Sequence, residues 1–459
     1  MTRKMRVLVL GDLSGRSNRR AEDATDLGTR AVHKLDLDRF DAVLSTLRPS
    51  LHLSFAGDET ALGPKLQFGS LDDFHPDRLL QQLNLLDSAQ RQGAPGTSNS
   101  VPATTRPESL LEGLMGGAVS TVAKAAPRAS TIVDDLIRRT IQSQPQTQGD
   151  RSPAPYAAAA ESSMAQALRS VLHHRDVQAL ESAWRGLRRF VEDVDMDEGE
   201  VDLFVMDATQ AELLADAAAH AGDVSASGLH QALKRGSAID DVPWSLLIGH
   251  FSINADSLDL ALLAHMGSIA AQLRAPLLAS ADPSLAGASS VAELARPARW
   301  SIEDDMAKLW MQLRRSPVAP WIGLTLPRLL LRQPYGAKSD PIEAFAFEER
   351  ATPHAQDGYL WGSSALACGQ AIAQSFIEHD SRCALRGAFD VGDLPAVVCE
   401  QDGERTLLPC AELLLQTETG EKLSDAGFIP LLSYANRNAV RVMGLQSIAE
   451  PTRRLAGLD

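Results

Sequence analysis

Nothing in the 459-residue sequence has the length of a membrane span: no uninterrupted apolar run approaches twenty residues, and the one after Arg6 is four residues long. Membrane insertion and a secretory leader are therefore not expected, and a cytoplasmic location is. Cysteine is scarce. Cys368, Cys383, Cys399 and Cys410 fall in the last quarter at spacings of 15, 16 and 11, which match no CxxC metal or redox signature, so buried reduced thiols are expected. Positive charge is in deficit, with 44 Lys and Arg against 59 Asp and Glu. A formal charge of -15 argues against broad binding to nucleic acid or anionic lipid and leaves proteins as the expected partners. What remains is globular: 44% hydrophobic and 22% charged, in a chain long enough for two or three domains.

Residues 172–191, LHHRDVQALESAWRGLRRFV, organise the chain. Val177, Leu180, Trp184, Leu187 and Val191 recur at three- and four-residue steps and form one stripe of a docking helix. Arg175, Glu181, Arg185, Arg188 and Arg189 are expected largely off that stripe.

Before it, residues 1–90 read as a small α/β module. Val7 to Leu10 is a buried strand entering a turn at Gly11-Asp12. Asp38 is expected to cap a helix through Leu47, followed by a strand with Leu51, Leu53 and Phe55 inward and another at Leu66 to Phe68. A last helix runs from Ser70 to about Leu86, with Pro76 in its first turn. Residues 91–160 read as a flexible linker, with Gln/Gly/Pro/Ser/Thr-rich runs around two short amphipathic groups. These are Leu110, Leu111 and Leu114, then Ile132, Val133, Leu136, Ile137 and Ile141.

Residues 161–459 read as a larger α/β domain with a mostly parallel or mixed sheet flanked by helices. Strands are expected at Val201 to Met206, Trp244 to Ile248 (ending at Gly249-His250-Phe251), Pro276 to Ala279 and Trp321 to Leu326. Thr209 and Asp256 open the helices between them, further helices are expected at 291–296 and 301–314, and another ends near Phe376.

Chemistry is sparse. The turn Gly11-Asp12-Leu13-Ser14-Gly15 has amides that could cradle an anion, but it lacks both the Walker ending and GxGxxG, and a structural turn is the better reading. Glu348 and Glu349, near Arg328, Arg332 and Tyr335, are adjacent on an extended chain and so point to opposite faces. An ion pair from one of them to Arg332, fixing a loop stiffened by Pro327 and Pro334, is favoured over acid–base catalysis. His173-His174 has no third zinc ligand at suitable spacing, and Ser363-Ser364 lacks the GxSxG elbow. The expectation is a non-enzymatic protein with no cofactor and no metal.

Three stretches of the first module, RVLVLGDLSGR, LDLDRFDAVLSTLRPSL and LQFGSLDDFHPDRLLQQLNLL, together resemble the small sheath subunit of type VI secretion systems, the TssB/VipA family. LHHRDVQALESAWRGLRRFV, PWSLLIGHFSI, LTLPRLLLRQPYG with FAFEE, YLWGSSALACGQAIAQSF and LPAVVCE resemble, in order over residues 130–445, the large subunit, the TssC/VipB family. This implies a fused structural subunit of a contractile sheath, acting by oligomerisation and interface rearrangement. Implied partners are copies of itself or other sheath subunits, an inner tube protein, baseplate components and a recycling AAA+ ATPase. Gly11, Asp12, Trp184, Arg185, Gly186, Arg328, Arg332, Pro334, Tyr335, Glu348, Glu349 and Trp361 are the implied structural or assembly residues. Two departures stand out. Gly249-His250 replaces the family's usual Gly-Asp, and the chain stops at Asp459, so a core without the usual gp25-like carboxy-terminal region is expected. The alternatives are a noncontractile cap, baseplate-associated or accessory protein, and a soluble α/β enzyme binding an anion at Gly11–Gly15.

Overall fold

The computed structural model describes residues 4–19, 26–53, 64–84, 153–196, 199–238, 242–350, 358–379, 383–401 and 404–458. The two amphipathic groups expected at 110–114 and 132–141, and Ser54 and Phe55, lie outside these residues. In chain order, strands β1 (Met5–Gly11) and β2 (His33–Leu35) precede helix α1 (Phe40–Leu47) and the hairpin β3 (Ser50–His52) and β4 (Lys65–Gln67). Helices α2 (Pro76–Gln82), α3 (Pro153–Leu172) and α4 (Arg175–Asp193) follow, then β5 (Val201–Asp207), α5 (Gln210–Ala219) and α6 (Gly228–Ala238). Next come β6 (Leu246–Ile253), α7 (Ser257–Leu273), β7 (Leu277–Ala281), α8 (Asp304–Arg314), β8 (Ile322–Leu326), β9 (Leu329–Leu330), β10 (Trp361–Gly362) and α9 (Ser364–Glu378). The chain closes with β11 (Phe389–Val391), β12 (Val398–Gln401), β13 (Glu404–Leu407), α10 (Thr417–Asp425), β14 (Phe428–Ser433) and β15 (Val440–Val442).

All seven residues of β1 are buried, a pattern that only a strand covered on both faces can satisfy. It is an interior strand, third from one edge, of a nine-stranded sheet of order β11-β15-β14-β8-β7-β6-β1-β5-β2. It pairs in parallel with β5 (Val7 opposite Leu203) on one side and with β6 (Val9 opposite Ile248) on the other. Strands β5, β1, β6, β7, β8 and β14 run parallel, β2 and β15 run against them, and β11, antiparallel to β15, runs with them again, giving a mixed α/β sheet. The amino-terminal strand thus belongs to the same sheet as the strands that follow residue 200.

Side chains alternate across this sheet as the pleat requires. Val7, Val9, Leu203 and Val205 face one core layer with Leu180, Trp184 and Leu187 of α4 and Ala365 and Ile372 of α9. Leu8, Leu10, Phe204 and Met206 face the other, with Leu213 of α5, Leu233 of α6, Leu263 of α7, Trp310 of α8 and Leu423 of α10. Arg6 lies on this second face, its guanidinium carbon 4.5 Å from the Phe204 ring and 4.4 Å from the Trp244 ring. It donates to the carbonyls of Gly236 (3.2 Å) and Val242 (2.8 Å), which offsets the cost of burying the charge.

Local signals set several boundaries differently from the sequence reading. The docking helix expected from Leu172 starts at Arg175, because the His174 imidazole accepts the Asp176 amide (3.3 Å) and begins α4 afresh, while Leu172 ends α3. Asp38 is not the cap of α1: the Asp36 carboxylate receives the Arg39 amide instead (2.9 Å). The helix expected from Ser70 becomes a 3-10 turn, Leu71–Phe74, and then α2, reset at His75 before Pro76. Strand β6 starts at Leu246 and does not end at Gly249-His250-Phe251 but continues across a register shift to Ile253. Residues 291–295 form a 3-10 turn, and α8 starts at Asp304 instead of 301. Thr209 and Asp256 do cap their helices.

Candidate functional site

Glu181 lies in the centre of α4, four residues after Val177 and three before Trp184, and that spacing turns it inward. It is fully buried, not off the stripe as its charge suggests. A carboxylate in such a place needs a cation and hydrogen bonds. Arg332 supplies both: Nε donates to Glu181 Oε1 (2.7 Å) and Nη2 to Oε2 (3.3 Å). The same guanidinium grips Glu349, Nη1 to Oε2 at 2.7 Å and Nη2 to Oε1 at 3.0 Å. Two carboxylates therefore clamp one buried arginine.

Arg185 balances the second negative charge. Its Nε donates to Glu181 Oε1 (2.7 Å) and its Nη2 to the Tyr335 hydroxyl (2.9 Å), while the Arg332 guanidinium carbon lies 4.1 Å from the Tyr335 ring centroid. Tyr335 and Glu349 also exchange backbone contacts: the Tyr335 amide meets Glu349 Oε2 (2.8 Å) and the Glu349 amide meets the Tyr335 carbonyl (2.9 Å). Burial would raise the Glu349 carboxyl and lower the Arg332 guanidinium. Charge pairing outweighs both: Arg332 holds Glu349 down at about 2, and Glu181, then Glu349, hold Arg332 well above its ordinary value. Burial, then the charge of Glu181, pushes the Tyr335 hydroxyl up. The cluster, with His173 Nε2 3.6 Å from Glu349 Oε1, ties α4 to residues 332–349.

The structure divides the candidate residues. Trp184, Arg185, Gly186, Arg332, Tyr335 and Glu349 come together around α4. Trp184 is fully buried, meets Phe40 edge to face at 5.6 Å and donates its Nε1–H to the Leu13 carbonyl (2.8 Å). Gly186 lets α4 approach α9, since a Cβ there would stand 2.7 Å from Leu366 Cδ1. Arg328 is elsewhere, bound by Nε and Nη2 to the two carboxylate oxygens of Glu412, with Nε to Oε2 at 2.9 Å. Glu348 is exposed and accepts the Ala337 amide (3.1 Å), so the neighbouring glutamates do face apart. Pro334 is half-buried in the loop, and Trp361 lies in β10 with its ring 5.6 Å from Tyr359.

Gly11 and Asp12 end β1 at a second buried junction. Asp207, at the end of β5, accepts the amides of Leu13 (2.9 Å) and Ser14 (3.1 Å) and the Ser14 hydroxyl (2.7 Å). Asp12 accepts the amides of Arg16 (2.7 Å) and Ser17 (2.8 Å). The amides of Leu13, Ser14, Arg16 and Ser17 are thus taken by the protein's own carboxylates. Sequence reasoning missed Glu181, Asp207 and Glu412. Only Glu181 left a trace, in its step of four to Arg185 and its place within the stripe.

Among the described residues no group of three or more His, Cys, Asp or Glu could hold a metal ion, and no helix is long and apolar enough to cross a membrane. All four cysteines are buried and free, and burial pushes the Cys368 thiol up to about 12.

Residues 156–449, more than half of the chain and the part that holds α4, Arg332 and Glu349, match the VipB family, described as the EvpB-type tail sheath N-terminal domain. The chain belongs to the VipB tail sheath family. Residues 4–90 match a second family, VipA of the type VI secretion system. The type VI secretion system sheath protein TssC1 of Pseudomonas aeruginosa is 29% identical over 365 residues, spanning 76% of this chain and 69% of that protein. The VipA-matching segment supplies β1 and β2, and the VipB-matching segment supplies β5 and β6 on either side of β1. In this sheath-family chain the two matches meet inside one sheet.

Proposed function

We propose that the protein is a structural sheath subunit of a type VI secretion system, with the small- and large-subunit parts of the building block carried on one chain. The observation that supports this is the insertion of β1, from the VipA-matching segment, between β5 and β6 of the VipB-matching segment. Covalent linkage fixes the two parts at one to one. It also makes the docking of β1 an intramolecular event.

Copies of this block repeat through heterologous contacts, which build open helical filaments when the rotation does not close. Work comes from many interfaces moving together between two packings. The clamp around Arg332 and the anchored β1 turn keep each block rigid, so that motion is confined to the contacts between blocks. Trp184, Gly186, Arg332, Tyr335 and Glu349 shape the block, whereas Glu348, Arg328 and Trp361 leave surface for neighbours. Beyond other sheath subunits, the finer partners of this reading are an inner tube, a baseplate and a recycling AAA+ ATPase in the cytoplasm.

Negative-stain electron microscopy of the purified full chain at rising concentration tests the reading. Hollow cylinders of uniform width are expected. A monodisperse monomer at every concentration overturns autonomous sheath building and leaves a capping or accessory role.

A further inference from the structure

A cavity of about 800 Å³ opens at the carboxyl ends of β6 and β7, roofed by the first turns of α4 and bounded by the start of α9. It adjoins a change of direction in the chain. The connection leaving β1 for β5 covers one face of the sheet with α4, while that leaving β6 for β7 covers the other with α7, so the neighbouring carboxyl ends of β1 and β6 part. Crevices outside the carboxyl ends of parallel strands at such a point are the usual ligand position in open α/β sheets. The assembly reading uses only its rim, at Arg328 and Trp361, and leaves its interior unassigned.

Three features define what could bind. First, His250, beside Gly11 on the cavity wall, has a buried Nε2 with no hydrogen-bond partner among the described residues. A buried polar atom left in this state calls for a water or a ligand. Burial lowers this imidazole to about 4, so it is uncharged at neutral pH. Second, the described lining carries as many carboxylates as guanidiniums: Arg328 is paired with Glu412, Asp282 adds a further carboxylate, and Arg175, largely exposed, touches Asp176 (3.2 Å), so the charge of the lining does not favour an anion. Third, the remaining lining is rich in hydroxyls. Ser280 and Ser363 share one hydrogen bond (2.8 Å) and keep further donor and acceptor capacity, the Asp282 carboxylate accepts, and Phe251 and Trp361 present aromatic surface.

We propose that this crevice binds a small uncharged polyol of the mono- or disaccharide class, hydrogen-bonded by His250, Ser280, Ser363 and Asp282 and seated against Phe251 and Trp361. Hydroxyls of a sugar both donate and accept, matching an imidazole nitrogen, a serine pair and a carboxylate without requiring net charge. Its apolar ring face suits the aromatic side.

Isothermal titration calorimetry of the full chain with glucose, galactose, sucrose and trehalose, and with inorganic phosphate and acetate as anion probes, tests it. Thermal shift is unsuitable, because sugars stabilise proteins by exclusion without binding. Saturable binding of at least one sugar is expected, weakened about tenfold or more, roughly 1.4 kcal/mol, in His250→Phe and in Asp282→Asn. The second variant can still cap the turn at Pro283 and so preserves the fold. No saturable heat with any sugar overturns the proposal. So does saturable binding of phosphate or acetate alone, or sugar binding unchanged in both variants when each melts like the parent.

Discussion

Removing the Glu349 carboxylate would leave Arg332 buried with half of its partners. Truncating one member of a buried pair costs about 3–5 kcal/mol, so Glu349→Ala should lower the unfolding free energy by that order in urea titrations. Replacing the set with apolar residues of similar volume should cost less, because no charge is then left stranded. The sign of the pH dependence follows from the shifts. Glu349 titrates at about 2 in the fold against 4.5 for its ordinary value, so its contribution is complete above pH 4.5 and is lost as pH falls toward 2. His250, lowered from 6.5 to about 4, must gain a proton on unfolding, so stability also falls as pH drops from 6.5 toward 4. Stability measured from pH 7 to 2 should decline through both windows, Glu349→Gln flattening the lower and His250→Phe the upper. A Glu349→Gln profile as steep as the parent's would contradict the clamp. Trp184→Ala should cost about 3–5 kcal/mol, since the ring is fully buried within the chain, and the loss should appear in the unassembled protein. Trp184→Phe keeps the ring contact but strands the Leu13 carbonyl, for a smaller loss of about 1 kcal/mol. At this scale the sequence disclosed Trp184, whose spacing to Leu180 and Leu187 is unambiguous. It disguised Glu181, because charge is read as exposure unless its partner, here 151 residues distant, is known.

Among the elements, β1 carries the most consequence. Its amides sit between two parallel neighbours, its side chains lie in both core layers, and the turn after it is held by Asp207 and Trp184. Native-state hydrogen exchange should place Val7 to Leu10 with β5 and β6 in the slowest class, whereas exchange at loop rates would contradict the insertion. Produced as separate chains, residues 1–90 and 153–459 should be recovered together at one to one. Residues 153–459 alone should aggregate, with the facing edges of β5 and β6 left unpaired. A soluble, cooperatively folded 153–459 fragment would show that β1 is dispensable. The strand itself was legible, as a short apolar run closed by glycine. Its neighbours were not, because local pattern specifies that a strand is buried on both faces and says nothing about which strands, some 190 residues further on, lie beside it. The helix break at His173-His174 escaped for a related reason. Helical periodicity continues across it, and only the imidazole cap, a matter of side-chain geometry, resets the backbone.

For the whole molecule, the two family matches become one mechanical unit. Six parallel strands covered on both faces form a stiff plate, and β1 makes the amino-terminal segment part of that plate instead of an appendage. A sheath built from such units takes its stoichiometry from the chain itself, and no free small subunit is needed to complete the sheet. The most direct test is a helical reconstruction of assembled protein by cryo-electron microscopy, at a resolution that traces strands. The account predicts one copy of this chain in each repeating unit, with β1 lying between β5 and β6. A repeating unit in which a separate small subunit supplies the strand between β5 and β6, displacing β1, would contradict it.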